Sequence, residues 1–333
     1  MRNISIALVF ATLFAAGTYA QQKATYTPPK TAWGDPDLSG IWPSTDMVGV
    51  PFERPENFGQ RNEVTQEEFA ARQKQESTRA AADLETTVST APRQGDGTGP
   101  PSHWLEWGRA SKQASLLVEP VDGRLPPSTP EAQRRAAALK NTYVMFDGFA
   151  EAGELGPYDR CISRGPLGSI FPVIYNNGNQ IFQFPGYVVI RYEMIHEVRV
   201  VPLDGRGHVS PKIRTYMGDG RGRWDGNTLV VETTNLNGRT GAQANGNLMM
   251  LSNEAKIVEK FTRTGADSLQ YEVTVTDPRT WTKPWTASFP LRRDSSYGMF
   301  EYACHEGNHA MSNILSAARS ADKGAASSTG GVQ

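Results

Sequence analysis

Leu269-Gln270-Tyr271-Glu272-Val273-Thr274-Val275-Thr276 places an apolar side chain at every odd position and a polar one at every even position. Successive residues of an extended chain point to opposite faces, so this period of two predicts an antiparallel strand with one face in a core and the other in water. Outward from it, similar segments occur at Gln180 to Phe184, Tyr187 to Val201, Lys212 to Tyr216, Thr228 to Thr234, Lys256 to Arg263, Trp285 to Arg293 and Gly298 to Cys304. Asp204-Gly205, Asp225-Gly226-Asn227 and Gly265-Ala266-Asp267 separate several of them, and these residue types supply the local bonds and positive φ of tight turns. Sequential strands with short links predict an up-and-down meander, and curling it into a barrel removes its exposed edges. The expected fold is mainly β: an antiparallel up-and-down barrel over residues 146–321, with a closing helix at Met311 to Ala321 and a disordered tail at 322–333.

Residues 21–145 read as an irregular N-terminal arm carrying two short helices and a mobile loop. Its first part is rich in Pro, Gly and isolated aromatics. Thr65-Gln66-Glu67-Glu68 is a capping box, in which the Thr hydroxyl and the Glu carboxylate each satisfy an orphan amide, and it predicts a helix to about Asp83. Residues 84–102 have almost nothing to bury and predict a mobile loop. Thr129 followed by Pro130 predicts a second helix to about Lys140, with Pro at the position where a missing amide proton costs nothing.

Arg2, the apolar run Ile4 to Ala16 and the small residues up to Ala20 form the pattern of a secretory signal peptide over residues 1–20, cleaved after Ala20. The run is too short to span a bilayer, so the expected product is periplasmic or secreted, without a transmembrane segment. A formal net charge of −1 makes nucleic acid an unfit partner. Cys161 and Cys304 are the only cysteines. In an oxidising compartment they predict a disulfide, the competing reading being two separate buried thiols.

The densest cluster of reactive side chain types is Glu301-Tyr302-Ala303-Cys304-His305-Glu306-Gly307-Asn308-His309. His305 beside Glu306 is a candidate acid/base couple, and His305, Glu306 and His309 are a candidate divalent metal set; no other cofactor is expected. The competing reading has Glu306 and Asn308 capping the next helix while His305 packs beside the disulfide. On the long segment Tyr187 to Val201, Tyr192 and His196 share the even face with Val188, Ile190 and Met194. If that face lines a barrel, His196 is a candidate catalytic base and Tyr192 a ligand contact; a core histidine bonded to a carbonyl is the alternative. Arg160 and Arg164 flank Cys161 and are candidate anion donors, with surface salt bridging as the alternative. Asn176 before the first strand is a further ligand candidate, as are Trp281 and Trp285, which make either an aromatic wall or a seal at the barrel end. Gly218 to Trp224 reads as a turn with a packed Trp rather than a phosphate loop.

Several segments together resemble those of a large family of exported, mostly uncharacterised proteins of Gram-negative bacteria. They are DPDLSGIWP at 35–43, PVDGRLPPSTPEAQRRAAA at 120–138, DRCISRG at 159–165, YEMIHEVRVVPLDGR at 192–206, RGRWDGNTLVVETTN at 221–235, DPRTWTKPWT at 277–286 and EYACHEGN at 301–308. The segment from Trp104 to Leu117 departs from that pattern. The resemblance implies an exported protein and names no reaction. The barrel expected here resembles lipocalin-like architectures, whose interior is the usual ligand site. The first functional expectation is a periplasmic protein acting on a small, partly apolar molecule by His/Glu acid-base chemistry. A non-catalytic binding or carrier protein is the second, and a structural envelope protein the third.

Overall fold

In β11 (Ser268–Thr276) Leu269, Tyr271, Val273 and Val275 have no exposed surface, while the residues between them are half-buried. The computed structural model describes residues 26–85, 104–140, 142, 149–243 and 245–329. The expected signal peptide and most of the expected mobile loop lie outside them. β11 pairs antiparallel with β10 (Lys256–Gly265) on one side and β12 (Trp285–Arg292) on the other, setting Tyr271 opposite both Phe261 and Phe289. The three rings pack in a tilted row, with centroids 5.1 and 5.2 Å apart. β7 (Thr228–Thr234) and β6 (Asp219–Asp225) extend the sheet beyond β10, and β2 (Leu117–Glu119) extends it beyond β12.

A second antiparallel sheet is ordered β1 (Gly40–Ile41), β3 (Asn179–Phe184), β4 (Tyr187–Tyr192) and β5 (Val198–Pro202). A hairpin of β8 (Gly241–Gln243) and β9 (Leu248–Met250) stands apart. The chain is thus mainly β and antiparallel. Its hydrogen-bonded strand orders end on β2 and β6 and on β1 and β5, so the pairing stays open.

Four details depart from the expected meander. The long strand Tyr187 to Val201 is broken by a turn at Met194–His196, with φ of 58° at Ile195 and 44° at His196. The break resets the pleat: Val188, Ile190 and Tyr192 are buried, then Arg199 and Val201, while Val198 and Val200 face outward. Gly218 to Trp224 is mostly strand, not turn; Gly220 and Gly222 erase its alternation, and a Cβ on Gly222 would lie 2.8 Å from Val201. Lys212 to Tyr216 is an irregular loop, organised by Asn235 Nδ2 donating to the carbonyls of Ser210 and Ile213. Gly298 to Cys304 is not a strand, and its Phe300 amide goes to a side chain, Glu193 Oε1, rather than to a ladder.

α1 (Gln66–Glu85) opens on the expected capping box, Glu68 Oε2 accepting from the Thr65 amide at 2.7 Å and Thr65 Oγ1 from the Glu68 amide at 3.2 Å. α2 (Pro130–Ala137) is capped by Thr129 and stops short of Lys140. α3 (Gly165–Ile170) is fully buried. α4 (Ala310–Thr329) runs on through residues 322–329, in place of the expected disordered tail. Its Gly, Ala and Ser residues form the helix without a large apolar face, which is why the pattern missed it. Among the described residues no helix is long and apolar enough to cross a membrane. Cys161 and Cys304 form the expected disulfide, with S–S 2.02 Å.

Candidate functional site

The segment around Cys304, tied by the disulfide to the turn at Cys161, forms one wall of a cleft of about 1040 Å³. Trp104, Tyr158, Tyr175, Phe300 and Tyr302 supply its aromatic lining, and Met311 and Ile314 on the first turns of α4 add apolar surface. Its charged lining residues are Glu106, Asp159, Glu301 and Glu306.

A buried carboxylate holds the cleft's frame. Glu193 is 1 % exposed and accepts from Gly178 N, Asn176 Nδ2, Phe300 N and Tyr297 Oη, at 3.2, 3.0, 3.0 and 2.7 Å. These bonds tie the stretch leading into the 301–309 cluster to the loop before β3. Tyr297 Oη also lies 2.8 Å from Glu106 Oε1, and burial, then these two carboxylates, raise its pKa. Asn176 adopts φ 55°, a left-handed conformation its short polar side chain tolerates, and so aims its amide at Glu106 at 2.7 Å.

Tyr158 Oη stands between Tyr302 Oη at 3.1 Å and Tyr175 Oη at 3.3 Å, a row of three hydroxyls in the wall. Burial pushes the pKa of Tyr158 well up, and that of Tyr302 up as well. Asp159 accepts from Thr142 Oγ1 at 2.8 Å, Asn247 Nδ2 at 3.1 Å and Gly156 N at 3.2 Å. Burial raises its pKa nonetheless, the hydrogen bonds and Arg160 pulling the other way.

Of the residues singled out in the sequence, Asn176, Cys304 and Glu306 line this cleft. His196 does not share a face with Tyr192; it sits exposed on the β4–β5 turn, its Nδ1 3.0 Å from the Tyr302 carbonyl oxygen. The positive φ values of that turn swing it out of the buried row. Tyr192 is buried in the core beside Arg199 and Glu259. Trp281 and Trp285 pack edge to face at 5.5 Å inside the core, so they seal rather than line a ligand wall. Arg164 is 1 % exposed behind the cleft, its guanidinium 5.9 Å from the Tyr158 ring centre and Nη2 donating to Asn245 Oδ1. Arg160 opens onto a separate cavity of about 390 Å³ with Arg135, Lys140 and Arg239. His305 and His309 are exposed, and among the described residues no three of His, Cys, Asp and Glu gather as a metal site. Asn308 Oδ1 accepts from the Ala310 amide at the start of α4, one part of the competing reading, while Glu306 lines the cleft instead and His305 is exposed.

Glu106, Glu193, Asp159, Tyr158 and Tyr297 carry no candidate role in the sequence, and Tyr302 enters there only as a member of the 301–309 cluster. A signal for two of them existed: Tyr158 and Tyr302 closely precede the two cysteines, so the disulfide itself brings them together. No protein-family profile, curated protein or solved structure matches this chain. Chemically, the cleft offers aromatic faces, hydroxyls and carboxylates; its sulfur is locked in a disulfide, and its lining holds no imidazole among the described residues.

Proposed function

We propose that this chain is a binding protein for a small, partly apolar molecule, held in the cleft beside Cys304 without covalent chemistry. The observation that carries the reading is the cleft itself, about 1040 Å³ with five aromatic side chains in its wall. Ligand sites are typically concave, mostly apolar and set with a few placed polar groups, and this volume is at the upper end of that class. Acid-base catalysis loses support because His196, His305, Tyr192 and Arg160 occupy four different environments rather than one cavity.

The site belongs, in this reading, to an exported protein whose two sheets curl toward each other as a barrel. The disulfide favours an oxidising compartment. The curl is supported at both seams: Gly222 of β6 leaves room for Val201 and Leu203 at the end of β5, and the Asp294 amide just after β12 donates to Ile41 of β1 at 3.1 Å. The barrel interior is packed with side chains such as Trp42, Tyr271 and Phe289, so the ligand sits at the end of the barrel and not inside it.

The test is titration with an uncharged naphthylamine fluorophore. Wild-type protein is expected to bind it saturably, and Ala303→Trp, which fills the cleft from an exposed position, to weaken binding by about tenfold or more with an unchanged melting temperature. Equal binding by both proteins, or none by either, defeats the proposal.

A further inference from the structure

The charges in the cleft wall are all of one sign. Glu106, Asp159, Glu301 and Glu306 line it, and no Lys, Arg or His joins them among the described lining residues. The partners of the two inner carboxylates are neutral donors. Glu106 accepts from the Asn176 and Asn177 amides and Asn177 Nδ2, with the Tyr297 hydroxyl it shares with Glu193 2.8 Å away, and Asp159 accepts from Thr142, Gly156 and Asn247. Such bonds orient a carboxylate and leave its charge in place. Glu301 and Glu306 are exposed on the wall and form no ion pair among the described residues.

The nearby cations stay out of the lining. Arg164 lies behind the Tyr158 ring and donates to Asn245, and Arg160, whose charge reaches the neighbouring Asp159, opens onto the other cavity. His196 meets the back of the wall at the Tyr302 carbonyl. The remaining lining is aromatic, and the negative face of an aromatic ring attracts a cation, most strongly at Trp and Tyr. Carboxylates beside aromatic faces in a partly closed site reject anions and reward a positive charge on an apolar body.

We propose that the ligand of this cleft is an organic cation, an amine or quaternary ammonium on an aromatic or aliphatic body, with the charge held among Trp104, Tyr158, Tyr175 and Tyr302 and the flanking carboxylates. The inference rests on the binding function proposed above and adds the ligand's charge. It also commits the protein to discriminate between molecules of the same shape.

Three shape-matched probes test it by calorimetry: a phenylalkyl trimethylammonium ion, its uncharged tert-butyl analogue and the corresponding carboxylate. The ammonium ion is expected to bind about tenfold tighter than the uncharged analogue, with the carboxylate weakest. Added salt should narrow the gap, because exposed charges are screened. A Glu301→Gln, Glu306→Gln double variant, altered at two exposed positions, should lower the ratio of ammonium to uncharged affinity severalfold while its melting temperature stays unchanged. If the uncharged analogue binds as tightly as the ammonium ion, or the carboxylate binds best, the cation inference is overturned and the binding function stands. If none of the three binds, both fall.

Discussion

Glu259 has no exposed surface, yet it is a charged residue in the most regular part of the sheet. Arg199 Nη2 meets its Oε2 at 2.5 Å, Tyr271 Oη donates to its Oε1 at 3.1 Å, and Arg199 also donates to Thr233 Oγ1. Burial alone would lower the Arg199 pKa, but the Glu259 carboxylate beside it outweighs that and raises it; burial and the same carboxylate push Tyr271 far up. Burial lifts Tyr192 to about 12, against the pull of the neighbouring Arg199. A pair like this costs much desolvation, so breaking it is worse than replacing it. Glu259→Gln is expected to lower the unfolding free energy in urea by about 3–5 kcal/mol by leaving Arg199 charged and alone. Arg199→Met with Glu259→Leu should recover most of that loss; a double variant as unstable as the single would refute the assignment. The sequence held a clue here, since Glu259 lies on the odd, inward row of Ile257 and Phe261. Arg199 carried none, because its inward direction depends on the reset at Ile195 and His196, and the same reset put His196 on the wrong face in the reading.

At the scale of elements, the β8–β9 hairpin seats on α3 through close backbone approach as well as the Arg164–Asn245 side-chain bond. Gly246 has φ +83°, and a Cβ there would lie 2.2 Å from the Arg164 carbonyl oxygen; one on Gly168 would lie 2.8 Å from the Gly246 amide nitrogen. Both the conformation and the space demand glycine. Gly246→Ala should therefore destabilise the protein by more than about 1 kcal/mol in urea unfolding. Because Arg164 backs the Tyr158 ring, the variant should also weaken the cleft's binding of the fluorophore; unchanged stability would show that the hairpin has room to shift. Such contacts explain which elements were readable. β7, β10, β11 and β12 have long uninterrupted alternation on a half-buried sheet, and each falls within a residue or two of its predicted span. β6 and α3 are rich in glycine, which has no side chain to mark a face, so their form is set by neighbours far along the chain.

Over the whole molecule, the disulfide joins two segments outside the sheets and closes a separation of 143 residues. The pairing was legible from two cysteines in a sequence expected to be exported, but its setting was not, because the expected last strand is a wrap that finds its partners in Glu193 and His196 rather than in a sheet. Constraining a loop of that length is worth about 5 kcal/mol in the chain-entropy account. The core does not depend on it: the aromatic row through Tyr271 and the Arg199–Glu259 pair lie in strands that the staple does not touch. The wall does depend on it, since up to Tyr302 the wrap is held by hydrogen bonds to Glu193 and His196, whereas at Cys304 it is fixed covalently. Cys161→Ser with Cys304→Ser is therefore expected to keep the β-sheet circular dichroism signal while losing about 2–5 kcal/mol of unfolding free energy. In the same variant, amide exchange should accelerate from residue 303 into the start of α4 and stay slow in β10 and β11, with fluorophore affinity falling about tenfold or more. Loss of stability with undiminished affinity would mean that the wall stands without its staple, and the cleft would then owe its shape to Glu193 alone.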